Sequence, residues 1–489
     1  MTTREAAPEG LGTLEARLRR DLELLDYPPD NWVIERRAPA TTRADAPTDV
    51  LIVGAGLCGM TAAFALLRSG IRNLRLLDAS PAGHEGPWVT YARMETLRSP
   101  KHLTGPAMGV ASLTFRAWFE AQWGARAWEA LGRIERTMWM DDLRWYRRAL
   151  ALPVKNDARV TAIAPGPDGF TVAVHSQDGA STLNARKVVL ATGREGLAAP
   201  RIPQPLLPFR ARYCLHTCES IDFRALRGKT VAVVGVAASA LDNAGMALEA
   251  GAAQVVILAR APAMPRINKA KGIVYGGFTE GFPGLGLAER LRTLDYIFEC
   301  RIAPPRESLL RVARHQNARI ELDAPLVGAR PERERLVLAT PGKEFAVDKV
   351  ILGTGFRIDV HAAPELRSLA PAIATCRDEF EPRAHDAASE LLDSPDLGEG
   401  FEFREKTPGM APCLKDLHCF NFAAALSHGN VSGDIPAVSD GASRLARAIA
   451  RDFFLADAEA HWQDLQDYAE PELLGDELAG ETRWWPAVE

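Results

Sequence analysis

From Asp49 the chain alternates short, almost wholly apolar runs with helical stretches: DVLIV, GAGLCG, MTAAFALLRSG, LRLLDAS. An apolar run of that length, closed by a glycine turn, predicts a strand buried on both faces. The stretch after it predicts a helix that returns the chain to a parallel neighbour. The pattern recurs at 230–260 as TVAVV, GVAASA, LDNAGMALEAG and VVILAR. Each is the opening of a doubly wound α/β unit, so the repeat is one of fold rather than of solenoid type. Between them, 112–150 reads as helical and Trp-rich, and 158–192 as short strands (RVTAIA, FTVAVHS, KVVLAT) with turns at PDG and QDG. A further strand, KVILGTGF, is predicted at 349–356 and a helix, DGASRLARAIARDFF, at 440–454. Near the start, Leu14, Leu18, Leu22 and Leu25 fall at helical spacing and predict one amphipathic helix packed on the main body. The stretch RRAPATTRADAPT after it reads as a linker.

These signals divide the chain into an extension at 1–46, a first domain beginning at 47–203, a second domain at 204–345 inserted into it, and a closing part of the first domain at 346–489 with an acidic, Trp-bearing tail. The glycine-rich stretch GGFTEGFPGLG, Gly276–Gly286, reads as a lid or as a disordered insertion within the second domain.

Bulk properties narrow the class. At 489 residues the chain exceeds what one core supports. With 47% apolar and 25% charged residues it has the composition of an ordinary globular protein. A net charge of −5 gives no reason to expect nucleic acid or an anionic membrane as partner. No run approaches the roughly 18 apolar residues needed to span a bilayer, and MTTREAAPEG lacks a secretion leader, so a cytoplasmic protein is expected. Seven cysteines include no C-x-x-C, since Cys214 and Cys218 stand one residue too far apart. That argues against a dithiol reductase and a structural metal site, and for free thiols.

The first glycine turn carries candidate chemistry. In Gly54-Ala55-Gly56-Leu57-Cys58-Gly59, the first glycine permits the tight turn, the second lets backbone approach a pyrophosphate, and the third lets helix pack on strand. The following helix N-terminus offers free N–H groups and its positive dipole end. Asp78 closes the next strand, where a carboxylate accepts ribose hydroxyls. The second turn keeps Gly235 but places Ala237 and Ala240 in the other two slots. Arg260 ends the strand after it, where an arginine accommodates a 2′-phosphate, and Ser239 lies in the helix's first turn. The reading is two Rossmann-like dinucleotide-binding domains, the one with Arg260 built for NADPH.

Together these motifs resemble the class B flavoprotein monooxygenases, over about Asp49 to Phe454. The resemblance implies FAD on the first turn and Asp78, and NADPH on Gly235, Ser239 and Arg260, the NADPH domain being inserted into the FAD domain. Gly86-Pro87-Trp88 stands where the family has a Gly-Gly-x-Trp turn beside the flavin ring, which puts Trp88 at the cofactor; Pro87 is a departure. VVLATG, with Thr192 and Gly193, and VILGTGF, with Gly355 and Phe356, resemble the strands at which chain crosses between domains. Gly433-Asp434 resembles the stretch that meets the ribityl chain and pyrimidine end of the flavin. FRARYCLHT departs from the Baeyer–Villiger signature, with Phe209 one place early and Arg212 where glycine belongs. The stretch METLRSPKHLTGP and the later ALSHGNVSGDIPAV are similar to N-hydroxylase segments, and the resemblance makes Lys101 and His428 candidate catalytic residues. His216 is expected at the crossover, and the tryptophans of 112–150 as core rather than site walls.

The chemistry this implies is reduction of FAD by NADPH, addition of O2 to give a peroxyflavin, and transfer of one oxygen atom to a small organic substrate in a water-free site. N-hydroxylation, S- or N-oxidation and Baeyer–Villiger insertion all remain open. Two alternatives stand beside it: an NADPH-dependent flavin oxidase or reductase without oxygen transfer, and a nucleotide-binding flavoprotein with no catalytic role.

Overall fold

The computed structural model of the protein describes residues 8–36, 47–379 and 389–474. Nearly all of the linker sequence and the end of the Trp-bearing tail lie outside the described residues. Helix α1 (Leu11–Leu24) buries Leu14, Leu18 and Leu22 against the body, as its spacing predicts; Leu25 falls just past the helix and is exposed.

The first apolar run forms β1 (Thr48–Val53), buried at every position. Helix α2 (Leu57–Arg68) carries the chain to β2 (Leu74–Leu77), parallel to β1. The Trp-rich stretch forms α3 (Phe115–Ala130) and α4 (Arg136–Ala149). Trp118, Trp128, Trp139 and Trp145 are buried there, so most of these rings are core. Next come β3 (Val154–Lys155), β4 (Ala158–Gly166), β5 (Gly169–Ser176) and β6 (Gly179–Leu190). The sheet order is β3-β2-β1-β6-β5-β4, with the last two antiparallel.

The chain leaves through β7 (Ala198–Pro200) and the short α5 (Arg210–Tyr213) into a second, wholly parallel sheet. Its strands are β8 (Cys214–His216), β9 (Thr230–Val234) and β10 (Gln254–Leu258), with α6 (Ala238–Glu249) joining the last two. Helices α7 (Gly276–Gly281), α8 (Leu287–Glu299) and α9 (Arg306–Ala313) lead to β11 (Ala318–Glu321). A three-stranded antiparallel meander follows: β12 (Gly328–Glu332), β13 (Arg335–Thr340) and β14 (Lys343–Val347). Then β15 (Lys349–Leu352) inserts between β9 and β8. The expected return to the first unit at 346 is therefore too early, because β15 supplies the central apolar pairing of the second sheet. The chain re-crosses at β16 (Phe356–Ile358), which pairs antiparallel with β7. After the single turn α10 (Cys376–Glu379), β17 (Leu417–Cys419) rejoins the first sheet beside β6. The short α11 (Ala425–His428) follows. The amphipathic run at 440–454 forms α12 (Val438–Ala456), and α13 (Ala458–Asp467) comes last. Among the described residues no helix is long and apolar enough to cross a membrane.

Candidate nucleotide sites and the cleft between them

The strand–turn–helix geometry at β1–α2 follows from three glycines with three different reasons. Gly54 has φ +99°, and a Cβ on it would lie 2.5 Å from the Ala191 carbonyl oxygen. A Cβ on Gly59 would lie 1.9 Å from the Gly54 oxygen, so this glycine serves helix-on-strand contact. Gly56 is different: a Cβ there would meet only Gly86, at an ordinary 3.6 Å. Nothing among the described residues requires glycine at 56, and the bare backbone at the N-cap of α2, with no side-chain cap, fits a group brought from outside. Ala55 is buried, and its N–H donates to Asp78 Oδ2 at 2.7 Å, while Ser80 N–H donates to Oδ1 at 2.7 Å. A carboxylate has about four acceptor positions, so Asp78 can hold the turn and still receive ribose hydroxyls.

Distant segments converge on this turn. Gly86, with φ +76°, crosses Gly56, and Trp88 packs edge-on against Trp139 at 6.2 Å with its Nε1–H buried and unpartnered. Thr192 and Gly193 follow β6; Asn421, entirely buried, donates to Thr192 Oγ1 at 3.2 Å and to the Leu190 carbonyl at 3.3 Å. Cys58, in the first turn of α2, donates to the Ser432 carbonyl at 3.2 Å. Burial pushes its thiol up to about 12, with the Asp434 carboxylate adding to the shift. Asp434 accepts from Asn430 Nδ2 at 2.8 Å and from Ile435 N–H. Asn421 has no sequence signature; only the β17–β6 pairing brings it here, whereas Ser432 directly precedes the Gly433-Asp434 pair.

The second turn repeats the first with one exchange. Gly235 has φ +113°, and its Cβ would lie 2.5 Å from the Gly353 oxygen, the same relation Gly54 has to Ala191. Ala240 replaces the third glycine, and Gly353 gives it room: a Cβ on Gly353 would sit 2.5 Å from that of Ala240. Ala237 is the N-cap of α6, and Ala237, Ser239 and Arg260 are all exposed at this end of the sheet. Gly355 and Phe356 belong to the crossover. The Gly355 carbonyl accepts from His216 Nε2 at 3.1 Å and from Arg201 N–H at 2.9 Å, and Phe356 meets the His216 ring edge-on at 5.2 Å.

The two expected catalytic side chains are engaged elsewhere. Lys101 Nζ donates to the Trp128 and Glu129 carbonyls at the end of α3 and lies 4.8 Å from the Trp128 ring centre. An ammonium satisfied by helix-end carbonyls and an aromatic face is a cap, so its expected place at the cofactor is corrected. His428 is buried, stacks on Phe401 at 3.9 Å and donates from Nε2 to the Gly398 carbonyl at 2.9 Å. Burial, with the Arg444 charge beside it, lowers its pKa to about 3, which removes it from acid–base work near neutrality. Arg444 also donates to the Thr279 carbonyl at 2.9 Å. The glycine-rich 276–286 stretch is thus ordered, with Phe282 buried against Leu291 and Leu426.

Between the loop after Trp88, α6 and α9 lies a cleft lined by Glu95, Arg98, Arg133, Asp242, Ser308 and Arg311, none of which carried a sequence signal. Arg311 is buried, bonds Glu249 through two nitrogens (2.6 and 2.5 Å) and donates across to the Arg93 carbonyl at 2.8 Å, tying α9 to the loop after Trp88. Arg136 donates to the Trp88 carbonyl. Tyr91 is held protonated by burial and by the Glu195 carboxylate. Burial lowers the Arg98 pKa, Asp242 opposes the shift, Arg194 adds to it, and Asp434 again opposes it. Yet Arg98 is exposed to solvent. Dense surroundings with an open face are what a cleft wall presents.

Comparison with known proteins gives three results. The family described as pyridine nucleotide-disulphide oxidoreductase matches residues 51–273. A FAD-dependent urate hydroxylase of Xanthomonas campestris pv. campestris is 39% identical over 468 residues, covering 95% of this chain and 98% of the relative. Among solved structures, an ornithine hydroxylase from Pseudomonas aeruginosa superposes with a TM-score of 0.65 at 16% identity, over 83% of this chain and 99% of its own. An ornithine N-hydroxylase from Kutzneria sp. 744, solved with reduced FAD, NADP+ and L-ornithine, gives 0.63 at 18% identity, with the same coverage. At such identity the structures share the fold.

Proposed function

The chain belongs to the class B flavoprotein monooxygenases, and from that premise we propose that it uses FAD and NADPH to hydroxylate a small, planar, oxygen-rich heterocycle of the urate type with O2. The observation that carries this reading is the 39% identity to a urate hydroxylase over 468 residues, 95% of this chain and 98% of that relative. Lys101, engaged at the end of α3, withdraws the main support for an amine substrate.

Gly54, Ala55, Gly56, Leu57 and Gly59 would hold the FAD pyrophosphate at the N-terminus of α2, with Asp78 on the adenosine ribose. Gly86, Trp88, Thr192, Gly193 and Asp434 would line the flavin end. Gly235, Ser239 and the N-terminus of α6 would take the second pyrophosphate, with Arg260 on the 2′-phosphate. Gly355, Phe356 and His216 would hold the crossover between the two. When bound, FAD supplies hydride acceptance and the activation of O2. The chain's own part is positional: Trp88 and Trp139 pack apolar surface beside the turn and exclude water, and Tyr91 keeps a phenol proton available at the cleft.

The test is oxygen-electrode and NADPH-absorbance kinetics of the purified holoenzyme with and without urate. Urate-dependent NADPH consumption matched one-to-one by hydroxylated product is expected. NADPH consumption indifferent to urate, with all O2 recovered as peroxide, would establish an oxidase instead.

A further inference from the structure

We propose that Arg98 is a substrate-recognition residue, receiving the anionic edge of the planar heterocycle at the pocket between the loop after Trp88 and helices α6 and α9; this rests on the urate-type reading above. Arg98 lies on the loop that follows the Gly86–Trp88 turn and runs toward α3. It lines a pocket with Glu95, Arg133, Asp242 of α6, and Ser308 and Arg311 of α9, and the charges of Asp242, Arg194 and Asp434 act on it.

What separates Arg98 from neighbouring cations is that they are committed. Arg93 donates to the Thr90 carbonyl and lies over the Phe223 ring, Arg136 holds the Trp88 carbonyl, and Arg194 lies 4.5 Å from the Phe422 ring centre. Arg311 is saturated by Glu249 and the Arg93 carbonyl. Among the described residues the Arg98 guanidinium has no hydrogen bond and no ion pair within 4 Å. Five donors in a planar fork, exposed on the pocket wall and unused, form a receptor for two adjacent acceptors in one plane. Neighbouring ring oxygen and nitrogen atoms of an oxo-heterocyclic anion present that pattern, and charge-assisted paired bonds reward the anion over its neutral analogue. Burial also raises the Asp242 pKa, with the Ser308 hydroxyl and then the nearby arginines opposing it, which weakens the competition of that carboxyl for Arg98.

The nucleotide phosphates are the competing anion, so the experiment reads both. Wild type, Arg98→Gln and Arg98→Lys holoenzymes are compared for urate KM, NADPH KM, anaerobic flavin reduction by NADPH, and urate binding from the perturbed flavin spectrum. Expected for Arg98→Gln is a rise of about tenfold to a hundredfold in urate KM and Kd, with NADPH KM and the reduction rate within about twofold; Arg98→Lys should recover part of the loss. An unchanged urate KM overturns the proposal, and so does a rise confined to NADPH. If wild type neither binds nor oxidises urate, the urate-type reading fails, and the same titration with barbiturate anion against neutral uracil decides Arg98. A preference for the anion that Arg98→Gln abolishes sustains the proposal; equal binding, or a preference that survives, overturns it.

Discussion

Ala240 and Gly353 face each other across the second helix–strand contact as Gly59 and Ala191 do across the first, with glycine and alanine exchanged between helix and strand. Each unit has one methyl at the contact, never two. The alanine in the third slot of GVAASA is therefore matched by a glycine 113 positions later in VILGTGF (Ala240 and Gly353). What reads as a degraded fingerprint is a compensated one, so that slot does not argue against a nucleotide at α6.

Gly353→Ala should accordingly destabilise by about 1–3 kcal/mol, since the new Cβ falls 2.5 Å from that of Ala240. Adding Ala240→Gly should return only part of the loss, since the new Cβ also falls 2.7 Å from the Ala240 Cα and a glycine inside α6 itself costs about 0.5–1 kcal/mol. Urea or thermal melts of the two single variants and the double close the cycle. Additive losses would mean the two positions do not sense each other.

Asp78→Ala should weaken FAD retention by about 1–3 kcal/mol, through lost charge-assisted bonds to ribose and release of the Ala55 N–H that Asp78 now fixes at 2.7 Å. Flavin content after dialysis, and the identity of the released flavin, provide the readout. Undiminished FAD, or FMN in the extract, contradicts the assignment of the first turn.

The turns were legible because their causes are local: a positive φ, a close helix contact and a carboxylate at a strand end each demand a residue type at fixed spacing. The helix of Leu14, Leu18 and Leu22 was legible for the same reason. Lys101 and His428 misled because a short segment shows a side chain's chemistry but not its partners. The Trp128 carbonyl and Phe401 that claim them come from other elements. Lys349–Leu352 was given to the wrong unit because an apolar run does not state which sheet it joins. Arg98, Arg311 and Asn421 were invisible, since each acquires meaning only where two or three elements meet.

Asp142 supplies a pH test of the core. It is buried in α4 with Oδ1 unpartnered, and burial raises its pKa well above the usual carboxylate range. For an acid raised in the folded state, the unfolded chain ionises first, so stability falls as pH rises from about 3.9 toward the folded value and the penalty is complete above it. Asp142→Asn cannot ionise. The difference in Tm between Asn and Asp forms should grow in favour of Asn from pH 4.5 to pH 8. A difference independent of pH would mean the carboxyl stays charged or finds a partner in solution.

Ala237 remains the residue on which the second site turns. It caps α6 where the first turn has Gly56, and it is exposed, so its methyl displaces no packing within the chain. Whatever reason the chain has for a small residue there comes from outside, as at Gly56. If α6 receives the NADPH pyrophosphate, the methyl holds it farther from the turn, and binding leans on the helix N-terminus, Ser239 and Arg260. Ala237→Gly should then leave NADPH affinity equal or tighter in a titration of anaerobic flavin reduction. Its φ of −76° suits either residue, and the N-cap preference for glycine offsets the added freedom of the unfolded chain, so stability should change by less than about 1 kcal/mol. Arg260→Ala should lower the ratio of NADPH to NADH kcat/KM in the same background. Nucleotide dependence unmoved by either change would make GVAASA a structural turn and leave the reductant's site unassigned.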